Sequence, residues 1–288
     1  MTDWSRIDSD ICAATGTAFH TSRFDPVSGG CIHEARRLQG NGTSYFVKSG
    51  HASAFDMFES EADGLSAITA TAAISTPHVI CAGHDDDESW LVLEWIDLDG
   101  DADAAAMGRN LATMHAHHGS YFGWHRDNWI GSSVQHNGAC DDWARFWRDR
   151  RLAVQFDMAA ANGHAGLAAS RDELLGRVSE LMEGHSPAPS LVHGDLWSGN
   201  AGYDRAGRPV IFDPAVYYGD AEVDLAMTEL FGGFPNRFYE AYRETLPEMP
   251  GYRLRRDVYN LYHVLNHANL FGGDYLAQAT ALISKILR

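Results

Sequence analysis

The chain has 288 residues, enough for one large domain or two lobes with ample core. Its composition, 45% hydrophobic and 21% charged, is ordinary for a soluble globular protein, and a formal net charge of -17 argues against general nucleic-acid binding and against an anionic membrane surface. No apolar run approaches a membrane span, MTDWSRIDSDICAATG lacks the basic-then-apolar order of a signal peptide, and Cys12, Cys31, Cys81 and Cys140 are too scattered for a zinc site or disulfide framework, so a reducing cytoplasm is the expected setting.

Residues 5–19 fit a short helix. Beyond Pro26 comes a Gly-containing strand pattern, VSGGCIHEA, and then SYFVK (44–48) as a strand. FESEADGLSAITAT (58–71) has helical spacing, with Phe58, Glu61, Leu65 and Ile68 on one stripe. HVICAGH (78–84) and WLVLEWI (90–96) read as strands joined by an acidic turn. DLDGDADAAAMG (97–108) changes character and is suited to bridging two lobes. Beyond it the pattern turns helical: 107–118, a single long helix over 143–163, and 171–184 with Gly184 as its stop. The expectation is an α+β, bilobal arrangement, with a small sheet-rich lobe over residues 1–96 and a larger, mainly helical lobe over 97–288.

LVHGDLWSGN (191–200) poses the chemical question. An apolar strand end leads straight into His193, Asp195 and Asn200, and a carboxylate there is costly unless it is paired or used. AGYDRAGRPVIFDP follows, with a turn signal at RAGR and a short strand VIF. If residues 205–208 close a four-residue loop, Asp204 pairs with Pro209 and Asn200 falls opposite Asp213. Opposed β-carbons lie roughly 5 Å apart, so an amide oxygen and a carboxylate would grip one hard cation. Asp195 is then placed to take a proton from a hydroxyl while Asn200 and Asp213 hold Mg2+ on a polyphosphate. This is the kinase division of labour, with Asp and Asn five apart and a second Asp after a strand. His193 reads as a residue that holds the turn.

A kinase site also requires a cation for the phosphates. Lys48 shares its strand face with Phe46, and Glu61, an acid on an apolar stripe, is the partner chosen for it, with Glu59 as fallback. Without the downstream motif, Lys48 reads better as a solvated strand-end lysine. Gly29 and Gly30, one hairpin earlier, suit a loop whose N–H groups approach phosphate oxygens, with Cys31 in the same loop. Glu94 to Ile96 would be the hinge, reading adenine through main chain. MHAHH (114–118) is a rival metal site, though a polar helix end suits it better.

These segments resemble the fructosamine kinases, or ketosamine 3-kinases, a branch of the aminoglycoside phosphotransferase-like small-molecule kinases with a protein-kinase-like fold. SGGCIHEA, FVK, MFESE, LVLEWID, the FGW…DN-W-IG loop, LVHGDLWSGN, VIFDPAVYYGD, ELFGGF and LNHANLFGGDY carry the likeness over nearly the whole chain. The Asp–Asn–Asp set alone would also fit choline, homoserine-type or antibiotic kinases. HGDLWSGN and FDPAVYYGD are more specific. The resemblance implies ATP and Mg2+ as cofactors, Asp195 as base, Asn200 and Asp213 as metal ligands, Lys48 and Glu61 as phosphate lysine and partner acid, and Asp224 as a structural acid bracing the catalytic loop. It places Trp197 near the sugar, and Asn266, His267 and Asn269 at the border of the acceptor pocket. It implies phosphorylation of the 3-hydroxyl of a ketosamine, free or on a glycated protein lysine, by a monomer. Ala268 and Leu270 depart from the bulkier or imidazole side chains of vertebrate members. The alternatives are an aminoglycoside or amino-alcohol phosphotransferase and, outside enzymes, a nucleotide-binding pseudokinase.

Overall fold

The computed structural model describes residues 4–27 and 34–288. Its first part holds α1 (Trp4–Thr15), β1 (Arg23–Pro26), β2 (Glu34–Gly40), β3 (Thr43–His51), α2 (Phe55–Ala70), β4 (Val79–His84) and β5 (Glu88–Glu94). The strands form one antiparallel sheet in the order β1-β2-β3-β5-β4.

Strand alternation sorts the sheet's two faces. From β5, Trp90 and Val92 join Val47, Leu38, Ile7 and Ile11 under α1, whereas Leu91 and Leu93 join Phe58 and Leu65 of α2. Lys48 therefore shares the α2 face with Phe46.

The remainder is mainly helical, with short strand pairs at the places that matter. It comprises α3 (Ala104–His115), β6 (Asn128–Ile130), β7 (Ser133–Gln135), α4 (Trp143–Trp147), α5 (Ala153–Ala161), α6 (Ala165–Ala168) and α7 (Arg171–Leu181), then β8 (Ser190–Val192), β9 (Ala201–Tyr203), β10 (Pro209–Ile211) and β11 (Tyr217–Gly219). Helices α8 (Glu222–Leu230), α9 (Asn236–Thr245), α10 (Tyr252–Phe271) and α11 (Asp274–Ile286) complete it. One large core runs through this part, from Leu111 and Trp147 to Tyr259 and Leu265.

Two expectations are corrected. The stretch 143–163 is not one regular helix: between α4 and α5 the chain makes a π-helical turn over Arg148–Leu152. The wide turn delivers Arg151 to the interior, fully buried, where its guanidinium lies 4.2 Å over the Tyr217 ring and bonds His136 O and Asn137 Oδ1 at 2.9 and 2.7 Å. Nor does the β9–β10 hairpin close with four residues. Pro209 pairs with Tyr203 and Ile211 with Ala201, so the loop is 205–207 and Asn200 lies opposite Phe212, whose N–H donates to Asn200 O at 3.1 Å. The side chain of Asp204 accepts from Ala206 N and Arg208 N at 2.9 Å, which makes the tighter turn self-sufficient.

Among the described residues, Cys12, Cys81 and Cys140 are free thiols, and no helix is long and apolar enough to cross a membrane.

Candidate active site

The turn that carries Asp195 is built by backbone geometry. β8 pairs with β11, and between β8 and Asp195 the chain reverses at Gly194, whose φ of 82° favours glycine. A β-carbon there would lie 2.2 Å from Ala215 O, so the site is closed to other residues on space as well. Asp224, buried at the start of α8, accepts from His193 N at 2.7 Å, Gly194 N at 2.9 Å and His115 Nε2 at 3.0 Å. Burial opposes its charge, but the bond and charge of His115, with the His193 contacts, hold its carboxyl below the usual range. His115 in turn contacts Tyr242 Oη at 2.7 Å through Nδ1. The MHAHH segment is thus corrected: His115 is a buried strut of the catalytic turn, which helical spacing alone did not disclose.

His193 holds the turn from inside. Asp195 N donates to its Nδ1 at 3.3 Å, which leaves Nε2 as the donor to Phe212 O at 3.0 Å. Burial lowers its pKa, so the ring is the neutral spacer that this pair of bonds requires.

Asp195 stands over this frame. Asn200 Nδ2 donates to Asp195 O at 2.9 Å and lies 3.4 Å from its Oδ2. Burial, then the nearby charges of Asp213 and Asp224, raise the Asp195 carboxyl to about 7. Because Asp213 lies beyond the hairpin ladder, strand parity does not aim it. Its own φ is 57°, unusual for a residue with a β-carbon, and its carboxylate meets Lys48. Lys48 Nζ donates to Asp213 Oδ1 and to both oxygens of Glu61, each at 2.8 Å. Burial acts against the ammonium charge, yet the two carboxylates overcome it and hold Lys48 above the ordinary lysine range. Glu59, the fallback partner, pairs instead with Arg126 at 2.7 Å.

Gly64 lets α2 approach this centre. A β-carbon there would meet Val216 Cγ2 at 3.0 Å, so the helix that carries Glu61 rests directly on the segment after Asp213. Trp124 Nε1 to Asp63 at 2.7 Å and Asn128 Nδ2 to Val216 O at 2.7 Å fasten the same junction.

Glu94 ends β5, and its N–H donates to His78 O at 2.8 Å; Ile96 follows beyond the strand. Gly29, Gly30 and Cys31 lie outside the described residues. Trp197, 38% exposed, meets Phe231 edge-on at 6.2 Å, and Phe231, His267, Phe271 and Tyr275 continue the aromatic surface at centroid spacings of 5.0 to 6.5 Å. Asn266 and Asn269 do not join it. Asn266 Oδ1 accepts from Gln155 at 3.3 Å, while Asn269 Nδ2 donates to Gln155 O and Oε1 at 2.9 and 2.8 Å, so both amides tie α10 to α5. Phe231 and Phe271 were missed in sequence; the signal was the Phe-Gly-Gly break that follows each helix, at 231–233 and 271–273.

Among the described residues, His185, Asp220 and Glu222 are the carboxylate–imidazole group close enough to share a metal. Their atoms already have partners. His185 Nε2 and Tyr259 Oη meet Asp220 at 2.6 Å each, and Arg255 spans Glu222 with two bonds of 2.7 Å. This is a structural brace.

A sheet-rich lobe over a helical one, with a lysine–acid pair above an Asp–Asn–Asp cleft, is the protein-kinase-like architecture. The chain superposes on an aminoglycoside phosphotransferase with a TM-score of 0.64, over 99% of this chain and 98% of the other, at 18% identity. The fructosamine kinase family model matches residues 3–288, and the chain belongs to that family. It is similar to a probable ketoamine kinase of Synechocystis sp., at 46% identity over 99% of this chain and 97% of the relative. A chloroplastic protein-ribulosamine 3-kinase of Arabidopsis thaliana is 40% identical over 95% of this chain and 85% of the relative. A solved structure from Haemophilus somnus, assigned by name as a fructosamine-3-kinase, superposes with a TM-score of 0.92 over 99% and 98% of the two chains, at 27% identity.

Proposed function

We propose that the protein transfers the γ-phosphoryl group of ATP to the 3-hydroxyl of a ketosamine. The observation that carries this reading is the ion pair of Lys48 with Asp213 beside the contact of Asn200 with Asp195, whose carboxyl feels the Asp213 charge, in a chain from the fructosamine kinase family.

Each residue has a task set by its surroundings. Asp195, with its carboxyl raised towards neutrality, orients the acceptor hydroxyl and accepts its proton as the new P–O bond forms and the bond to the leaving ADP breaks. Lys48, fixed by Glu61, places its charge on the phosphates. Asn200 and Asp213 offer an amide oxygen and a carboxylate, a donor set that fits a hard divalent cation such as Mg2+. When bound, that ion would neutralise phosphate charge. Trp197 and His267 border the acceptor, and Glu94 to Ile96 border the nucleotide. Positioning and electrostatics carry most of the rate.

The product is chemically unstable. Enolisation towards the amine-bearing carbon expels phosphate from the third carbon, and hydrolysis of the resulting imine frees the amine. Phosphorylation therefore initiates deglycation. We assign both free ketosamines and glycated protein lysines as acceptors, and a monomer in a reducing cytoplasm as the working form.

The test is a substrate panel of fructosyl- and ribulosyl-amines beside aminoglycosides, followed by ATP consumption, with 31P NMR locating the phosphate. Phosphate on the third carbon of a ketosamine is the expected result. Turnover of aminoglycosides alone would transfer the protein to the antibiotic-kinase class, and no turnover of any acceptor would favour a nucleotide-binding pseudokinase.

A further inference from the structure

One turn before His267 on α10, His263 is fully buried, and neither of its ring nitrogens has a hydrogen-bond partner among the described residues. A buried polar atom left in that state costs about 1–3 kcal/mol, so its position asks for a reason. Nδ1 stands 3.9 Å from Asp195 Oδ1. The other carboxylate oxygen, Oδ2, lies 3.4 Å from the Asn200 amide. Asp195 is therefore flanked by a nitrogen donor at each oxygen, and both contacts are longer than a good hydrogen bond. Catalytic hydrogen bonds in unliganded sites are commonly long and shorten when the reacting groups arrive.

We propose that His263 is a positioning residue for phosphoryl transfer, its Nδ1–H donating to Oδ1 of Asp195 in the loaded enzyme and fixing the carboxylate so that one lone pair faces the acceptor hydroxyl. The inference rests on Asp195 being the base. A neutral donor suits that task better than a cation, because a full positive charge against Asp195 would weaken it as a proton acceptor. Burial supplies the neutrality, lowering the imidazole to about 3, with His267 on the same helix and Arg151 acting in the same direction against the opposing charge of Asp224. α10 also links this donor to the acceptor surface. His267 Nδ1 contacts His263 O at 2.8 Å, and the His267 ring packs on Phe231 at 5.0 Å.

The experiment compares His263→Phe, which fills the space without a donor, with His263→Asn, whose amide nitrogen retains a donor near the place of Nδ1. Steady-state kinetics on the full chain with ATP and a turned-over ketosamine are measured beside melting temperature. His263→Phe is expected to lose about 10- to 100-fold in kcat with both KM values within about twofold, and His263→Asn to recover most of that loss. In histidine-labelled protein, 15N NMR should show the Nδ1-protonated tautomer of His263 once a non-hydrolysable nucleotide and acceptor are bound. Wild-type kcat in His263→Phe would overturn the inference. So would equal losses in both variants that track melting temperature, or an Nε2-protonated ring in the loaded complex. Asp195→Asn separates the premise from the inference. If it is inactive while His263→Phe is unimpaired, only the role of His263 falls; if it turns over normally, the base assignment falls and takes this role with it.

Discussion

As the proposed base, Asp195 would have to be a carboxylate to accept a proton, yet its surroundings disfavour charge. Burial and two neighbouring acids raise it, and the Asn200 amide partly offsets them. Asp195→Asn retains the shape of the side chain and removes its basicity, so kcat should fall by about 100- to 10,000-fold while nucleotide affinity, measured by calorimetry, is retained. Lys48→Met removes the cation that Glu61 and Asp213 now share; a drop of ~100-fold or more in kcat/KM for ATP is expected, with stopped-time ADP release as the readout. The pairing of Lys48 with Glu61 was legible in the string. Lys48 follows from strand parity, and Glu61 from its place on an apolar helical stripe. Neighbours in sequence on a helix face different ways: the amides of Asn266 and Asn269 point to α5 while His267 turns to the aromatic surface. His263 gives no local sign at all, since its isolation is a product of tertiary packing.

At the scale of the element, the site depends on turns more than on regular structure. The β9–β10 hairpin was legible as a hairpin but not in register, because the Asp204 carboxylate closes a shorter loop than the turn signal suggests. The one-residue shift takes Asp213 out of the ladder, where its φ is positive and its carboxylate meets Lys48. β11 escaped notice because three residues of AVYYGD carry too little alternation to read as a strand. Gly194→Ala tests the catalytic turn directly. It combines a left-handed φ with a β-carbon overlapping Ala215 O, and should destabilise the protein by about 2 kcal/mol or more while abolishing most turnover. Urea unfolding and kcat measured on the same preparation would show whether the two losses travel together. Asp224→Asn should loosen the same turn from below, since a neutral amide oxygen cannot match a carboxylate that accepts three hydrogen bonds.

Across the whole molecule, the order of a sheet-rich part followed by a helical part was readable from the change of periodicity, whereas the struts between distant segments were not. Burial of His263 makes stability respond to acid. Below about pH 6.5 the unfolded chain protonates His263, but the folded protein resists until about pH 3. The unfolded state therefore binds more protons in that window, and stability falls as pH falls through it. Between pH 6.5 and pH 5 this one group should remove about 2 kcal/mol. The difference in urea unfolding free energy between wild type and His263→Phe, followed across that range, isolates it from the carboxylates; a difference that does not change with pH would contradict the assignment.

The wide turn at Arg148–Leu152 has a genetic consequence. Removing one residue from it would restore ordinary helical pitch and leave the flanking helices nearly in register, because five residues of the wide turn sweep about the same angle as four of an α-helix. Arg151 would swing away from Tyr217 and Asn137, and the β6–β7 ribbon would lose its anchor. Single-codon deletions at these five positions should therefore lower the melting temperature through loss of the Arg151 contacts, whereas ordinary substitutions at the half-exposed Arg148 and its neighbour Asp149 leave it near the wild-type value.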